Sequence, residues 1–98
     1  MQIETRKEGD TTTIIPQGDI DYATAPELDV VVEREAASSE MLVIDMSKVD
    51  YISSAGLRSI LNADELMENK KGIRLTNVNP NVKSIFDMTN FTGMLNIE

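Results

Sequence analysis

Cysteine and histidine are both absent from the 98-residue chain. Without cysteine there is no disulfide framework, no thiol nucleophile and no thiolate metal site. Without histidine the chain cannot build a Ser-His-Asp hydrolase, a Cys-His protease or a histidine-ligated zinc centre. The sequence therefore predicts a protein that is not an enzyme, with no catalytic residue, no metal site and no cofactor.

Positive charge is also scarce, because 9 lysines and arginines face 17 aspartates and glutamates, for a net charge of -8. Nucleic acid and anionic membranes bind clustered lysine and arginine, so neither is predicted as a partner, whereas a basic protein partner is compatible. No apolar run approaches the length of a membrane span, and the amino terminus has no basic-then-apolar signal region. A cytoplasmic location is the default expectation, while the oligomeric state is not determined.

The length predicts one domain over residues 1–98. Alternating strand-forming residues at 2–7 and 11–15, around a turn at residues 8–10, predict an N-terminal hairpin that Pro16 is expected to end. After residue 40, strand and helix patterns alternate, which predicts parallel strands joined by right-handed crossovers. The predicted fold is therefore α/β, a mixed sheet with helices packed on it.

Helix starts are marked by local signals. Thr24 and Glu27 have the spacing of a capping box, which predicts a helix from the residue after the threonine. The pair Asn79-Pro80 predicts a later helix, since proline is well placed at a first helical position. Residues 73–76 alternate as a strand before that helix, and residues 91–97 are expected to add a short final strand.

The central segment combines a strand, a tight turn and a helix. The unbroken apolar run Met41–Ile44 predicts a strand inside the sheet that is covered on both faces. Apolar side chains then recur at the three-and-four spacing of a helix with one buried face, at Leu57, Ile60, Leu61 and Met67. The helix is expected to end through Lys70 and Lys71, with Gly72 as its C-cap.

Two adjacent serines, Ser53 and Ser54, stand where this helix begins. Unpaired backbone N–H groups and the positive end of the helix dipole favour negative charge at such a position. Serine is also a common N-cap without further role, and this alternative stays open. Gly56, in the first turn, costs about 0.5–1 kcal/mol relative to alanine. Either close packing of the helix on the sheet or the approach of a partner would require its missing side chain.

The segments Val43–Ser47 and Ile52–Leu57 resemble the signature of STAS domains, particularly of small single-domain anti-sigma factor antagonists. In that family the serine two places before the Gly-Leu pair is phosphorylated by a kinase that doubles as the anti-sigma factor. The resemblance implies that Ser54 is the acceptor here. Ser53 is the second candidate, because it stands where the family often has an aspartate.

The loop Gly18–Asp21 resembles the Gly-Glu-Leu-Asp of these antagonists, whose final aspartate lies beside the phosphorylated serine. The resemblance implies that Asp21 assists recognition or phosphorylation by the kinase. A second interpretation is that Asp19 and Asp21 are turn residues whose side chains bond the local backbone.

The function implied by the resemblance is that of a phosphoprotein in transcription regulation. The unmodified protein would bind an anti-sigma factor with serine kinase activity and so release a sigma factor, and a phosphatase would reverse the modification. The implied partner-binding residues are Asp19, Asp21, Ser53, Ser54, Gly56 and Arg58. An alternative is a STAS subunit of a transport complex or signalling scaffold that does not switch. A phosphopantetheine carrier is disfavoured by the predicted strands. The family also has a C-terminal helix, which residues 1–98 are expected to lack or to have in shortened form.

Overall fold

The computed structural model describes residues 1–89 and residue 97. The strands and helices are, in chain order, β1 (Gln2–Glu8), β2 (Thr11–Gln17), α1 (Ala25–Ser38), β3 (Met41–Asp45), α2 (Ser54–Leu66), β4 (Ile73–Thr76) and α3 (Pro80–Met88). The strands form a mixed sheet in the order β1-β2-β3-β4, antiparallel between β1 and β2 and parallel between the other neighbours. The predicted α/β fold, with an N-terminal hairpin and parallel strands, is confirmed.

Strand β2 continues past its proline. Pro16 pairs with Ile3 of β1, and the strand ends only after Gln17, so the prediction that Pro16 ends the hairpin is wrong. The pairing of β2 with β3 covers Thr11 to Ile14 and stops there. Among residues 1–89 and 97, Pro16 therefore pairs with β1 alone, and a residue without an N–H group is tolerated where one side of the strand forms no ladder hydrogen bonds.

Strand β3 lies inside the sheet, between β2 and β4, as predicted. Its burial alternates, with Leu42 and Ile44 fully buried and Met41 and Val43 only half-buried. The prediction of a strand covered on both faces is thus wrong for one face. An unbroken apolar run does not distinguish a strand covered on one face from a strand covered on both, since successive side chains point to opposite faces whatever their polarity.

Helices α1 and α2 pack side by side, and α1 also contacts β2 and β3. The resulting core contains Leu28, Val32 and Ala36 from α1, Leu57, Ile60 and Ala63 from α2, and Ile14, Leu42, Ile44, Ile73 and Leu75 from the strands. The predicted helical spacing of apolar residues is confirmed, although Leu61 is only half-buried. Full burial of each large side chain contributes about 1.5–3 kcal/mol. Among residues 1–89 and 97, no helix has the length and apolar content that a membrane crossing needs.

The end of α2 differs from the prediction. The helix ends at Leu66, with Met67 as its C-cap, and Gly72 lies farther along, directly before β4. Lys70 does not serve the end of its own helix, because its ammonium group donates to the carbonyl oxygens of Ala36 at 2.6 Å and Ser39 at 2.8 Å. These oxygens belong to the C-terminal end of α1. Lys70 therefore connects the C-terminal end of α1 to the segment that follows α2.

Helix α3 begins as predicted. The side chain of Asn79 accepts a hydrogen bond from the N–H of Val82 at 2.8 Å and donates one to the carbonyl of Val49 at 2.7 Å. The second bond ties α3 to the connection between β3 and α2. The final strand predicted at residues 91–97 lies outside the described residues except for Ile97, which forms an isolated parallel bridge with Leu75.

Candidate functional site

The connection from β3 to α2 places the two serines at the start of a helix. Met46, Val49 and Ile52 are buried and anchor this connection in the core. Ser53 has an extended backbone and is the N-cap, and Ser54 is the first residue of α2. The backbone N–H groups of the first turn have no partner within the helix, so the position is suited to an added negative charge.

The two serine hydroxyls differ in availability. Ser53 is half-buried, and its oxygen accepts a hydrogen bond from the N–H of Gly56 with an N-to-O distance of 3.5 Å. Ser54 is exposed, and within the described part of the chain its hydroxyl takes part in no hydrogen bond. A docking protein can therefore reach Ser54, whereas Ser53 is occupied as a helix cap. Modification of either residue stays a prediction.

Backbone hydrogen bonds bring the loop of Asp19 and Asp21 to the serine turn. The N–H of Ile20 donates to the carbonyl of Tyr51 at 3.0 Å, and the N–H of Ser53 donates to the carbonyl of Ile20 at 2.9 Å. Ile20 and Ile52 also pair as an isolated parallel bridge. Two loops that lie about thirty residues apart in the sequence thus form one surface.

Asp21 bonds its own loop, as the second interpretation of this residue expected. Its Oδ1 accepts hydrogen bonds from the N–H groups of Ala23 at 3.0 Å and Thr24 at 3.1 Å. Such a turn satisfies backbone donors just before α1 begins. The side chain of Asp19 is exposed. Roles for both aspartates in partner binding stay predictions.

The predicted capping box at the start of α1 is wrong, although the helix does begin at Ala25. Thr24 makes no side-chain cap, because its hydroxyl oxygen accepts the N–H of Asp21 at 2.9 Å and the hydroxyl donates to the carbonyl of Asp19 at 2.8 Å. Glu27 instead binds the amino group of Met1 at 3.1 Å. Both side chains thus have tertiary or loop partners that compete with the local cap.

Gly56 is buried, and α2 packs closely against the neighbouring loops at this point. A β-carbon added there would lie 2.5 Å from Cγ1 of Ile52, 2.7 Å from the carbonyl oxygen of Ile20 and 2.9 Å from Cγ2 of Ile20. Close packing therefore explains the glycine. Its predicted place among the partner-binding residues stays a prediction.

Three exposed side chains extend the surface around Ser54. Arg58 follows Ser54 by one helical turn, so the two lie on the same side of α2. Tyr22 is 83% exposed and Tyr51 is 50% exposed, and both lie in the two joined loops. The tyrosines were not among the predicted site residues. A signal was available, because they are two of only four aromatic residues and each adjoins a segment of the predicted site.

Asp45, at the end of β3, is held by local donors. Burial by itself raises the pKa of its carboxyl group, but hydrogen bonds from the N–H of Ser47 and the side-chain amide of Asn77 outweigh burial and lower the pKa below its ordinary value. These bonds fix the start of the connection to α2. Over the chain that the structure describes, no three acidic side chains are grouped so that they could hold a metal ion.

The sequence model of a family described as the STAS domain matches residues 2–98. The chain is 30% identical over 80 residues to BtrV of Bordetella bronchiseptica, a protein named for an anti-sigma factor antagonist function, and the match covers 80% of this chain and 69% of BtrV.

Solved structures share the fold. An anti-sigma factor antagonist from Mycobacterium paratuberculosis superimposes with a TM-score of 0.89 at 23% identity, covering 98% of this chain and 83% of that one. The Bacillus cell fate determinant SpoIIAA in its phosphorylated form superimposes with a TM-score of 0.75 at 13% identity, covering 99% and 91%. At these identities the likeness concerns the fold.

Proposed function

Because the chain belongs to the STAS domain family, we propose that it is a cytoplasmic anti-sigma factor antagonist switched by phosphorylation of Ser54. The observation that carries the proposal is the exposed hydroxyl of Ser54 at the first position of α2, free of hydrogen bonds in the described part of the chain. The unmodified protein binds an anti-sigma factor that has serine kinase activity, and the sigma factor held by that partner is released. The protein acts by binding and not as an enzyme.

Phosphorylation of Ser54 is compatible with the folded protein. A phosphate adds about 1.5–2 negative charges near neutral pH. The N–H groups and dipole of α2 stabilise negative charge at the helix start, and Arg58 lies one turn away on the same side. No refolding is needed. At Ser53 the same phosphate would displace the hydrogen bond that caps the helix, which favours Ser54 as the acceptor.

The switch acts through the interface. A partner surface that fits a neutral hydroxyl cannot also accommodate a dianion, particularly beside a loop that carries Asp19 and Asp21. Like charges placed together at an interface cost several kcal/mol, and each 1.4 kcal/mol lowers affinity about tenfold. Phosphorylation is therefore expected to reduce binding by about 100-fold or more, and a phosphatase restores it.

The test compares two substitutions of one residue. Ser54→Ala is expected to bind the anti-sigma factor as the wild type does and to accept no phosphate, while Ser54→Asp binds at least tenfold more weakly. Affinity is measured by calorimetry with each anti-sigma-type serine kinase encoded in the source genome, and phosphate by intact-mass spectrometry after incubation with kinase and ATP. Ser84→Asp, an exposed serine on α3, is the matched control and should bind normally.

Equal affinity of the Ser54→Ala and Ser54→Asp proteins would refute the switch. If the protein binds an anti-sigma factor but none of the kinases phosphorylates it, the proposed antagonist function stands and its proposed regulation at Ser54 is refuted. Failure to bind any of these kinases would favour the alternative of a STAS subunit in a transport complex or scaffold.

A further inference from the structure

A groove of about 500 Å³ lies between α1 and α2, directly beside the serine turn. Asp29 and Glu33 line it from α1, and Ala55 and Arg58 line it from α2. Tyr22, the most exposed of the described aromatic side chains, also borders it. Because Ala55 follows Ser54 in the chain, the groove borders the predicted interface around Ser54.

Asp29 has an unusual environment within the groove. One of its carboxylate oxygens, Oδ1, is buried and accepts no hydrogen bond from residues 1–89 or 97. Buried carboxylate oxygens are normally paired with a donor. Neither Asp29 nor Glu33 forms an ion pair within the described residues. The other oxygen, Oδ2, is not closed off in this way and also accepts no hydrogen bond from the described residues, so a ligand in the groove could supply its donor.

The charge of the groove favours a cation. Of the described residues that line the groove, Asp29 and Glu33 carry carboxylates, and Arg58, which is exposed, carries a guanidinium group. The chain as a whole carries a net charge of -8. A neighbouring tyrosine ring adds an attractive surface for a guanidinium or ammonium group, because cations are drawn to the face of an aromatic ring.

We propose that this groove is a second docking site for the anti-sigma factor and that it receives an arginine or lysine side chain of that partner. The inference rests on the proposed function and extends its interface from Ser54 to Asp29 and Tyr22. A guanidinium group would donate to the Asp29 carboxylate and lie against the tyrosine ring, an arrangement in which a charged hydrogen bond gives geometric specificity. Contact with the groove and contact with Ser54 would then be made by one partner at the same time.

The first experiment uses a small probe, so that it does not depend on the proposed function. Ethylguanidinium is titrated into ¹⁵N-labelled protein and followed by NMR, with the neutral isostere ethylurea as the control ligand. Shifts are expected at the backbone amides of Asp29, Ala55 and Tyr22 with ethylguanidinium only. Asp29→Asn should reduce the affinity at least fivefold, and the exposed Glu65→Gln on α2 should not change it. Arg58→Gln should strengthen binding, because it removes the competing cation.

The second experiment uses an anti-sigma factor that binds the wild-type protein. Asp29→Asn and Tyr22→Ala are each expected to weaken that complex at least tenfold, while Glu65→Gln leaves it unchanged. The thermal midpoints of the variants should equal that of the wild type, which separates lost contacts from lost folding.

The two experiments distinguish the possible failures. Unchanged affinity of the Asp29→Asn protein for a bound anti-sigma factor overturns the groove proposal and leaves the Ser54 interface intact. Shifts that are equal for ethylguanidinium and ethylurea, or that persist in Asp29→Asn, also overturn it. If no anti-sigma factor binds the wild type, the proposed function fails and the docking proposal fails with it, whereas localised ethylguanidinium shifts would still establish the groove as a cation site.

Discussion

Replacement of Gly56 by alanine sets two physical effects of opposite sign against each other. Alanine is favoured over glycine inside a helix by up to about 1 kcal/mol, so a free helix would gain from the change. In the folded protein the added methyl group would lie 2.5 Å from Cγ1 of Ile52 and 2.7 Å from the carbonyl oxygen of Ile20. Overpacking of this kind typically costs about 1–3 kcal/mol.

The contact with the Ile20 carbonyl makes the clash difficult to relieve. A side chain can rotate away, but this oxygen belongs to the backbone and accepts the N–H of Ser53 at 2.9 Å. Displacing it weakens a hydrogen bond whose net contribution is about 0.5–1.5 kcal/mol. The costs together exceed the gain in helix propensity, and we expect Gly56→Ala to lower the free energy of unfolding by about 2 kcal/mol.

Urea denaturation followed by far-UV circular dichroism measures this loss. With a slope of about 1–3 kcal/mol per molar urea, the midpoint should fall by about 1 M. Glu65→Ala, at an exposed position of the same helix, is the control and should stay within about 0.5 kcal/mol of the wild type. The double variant Ile52→Ala/Gly56→Ala should lose less than the sum of the single losses, because removing Cγ1 makes room for the methyl group. A Gly56→Ala protein as stable as the wild type would refute the packing explanation.

Further predictions concern the ends of the helices and the acid limit of stability. Ser53→Ala should lower the free energy of unfolding by about 0.5–1 kcal/mol, because the N-cap is lost, whereas Ser54→Ala should change it by less than about 0.5 kcal/mol. Equal losses of the two variants in urea titrations would contradict the assignment of Ser53 as the cap. Lys70→Met should lower the free energy of unfolding by about 1–3 kcal/mol, since two backbone carbonyls at the end of α1 lose their donor. A thermal midpoint equal to that of the wild type would contradict this role of Lys70. The pKa of Asp45 is lowered, so its contribution to stability is complete above the ordinary value of 3.8 and is lost as the pH falls through the lower pKa of the folded state. When the free energy of unfolding of both proteins is measured below about pH 4, that of Asp45→Asn should therefore fall less steeply with pH than that of the wild type.

Periodicity and local signals were sufficient to predict the elements and their order. The apolar spacing from Leu57 onward identified α2, and the strand-forming residues before and after a turn identified the hairpin. Asn79-Pro80 marked the start of α3 correctly. These features depend on interactions between residues a few positions apart, which the chain carries wherever it folds.

Errors arose where a local signal competed with another partner. Thr24 and Glu27 have the spacing of a capping box, yet Thr24 bonds within the preceding loop and Glu27 binds the amino group of Met1, which is distant in the sequence. Lys70 was expected to stabilise its own helix and instead holds the end of α1. A side chain that has several possible acceptors chooses among them according to tertiary geometry, which no short window of sequence contains.

By itself, the sequence determined that two serines stand at the beginning of a helix after a buried strand, because strand and helix periods meet there. Only the tertiary structure decided that Ser53 is occupied as a cap, that Gly56 is a packing residue, and that a groove lies beside them. Within residues 1–89 and 97 it also left the Ser54 hydroxyl and Oδ1 of Asp29 without a hydrogen bond. The physical reason is that hydrogen-bond partners, close contacts and grooves are made by segments distant in the chain, here the loop of residues 18–21 and helix α1, whose positions follow from the packing of the whole core.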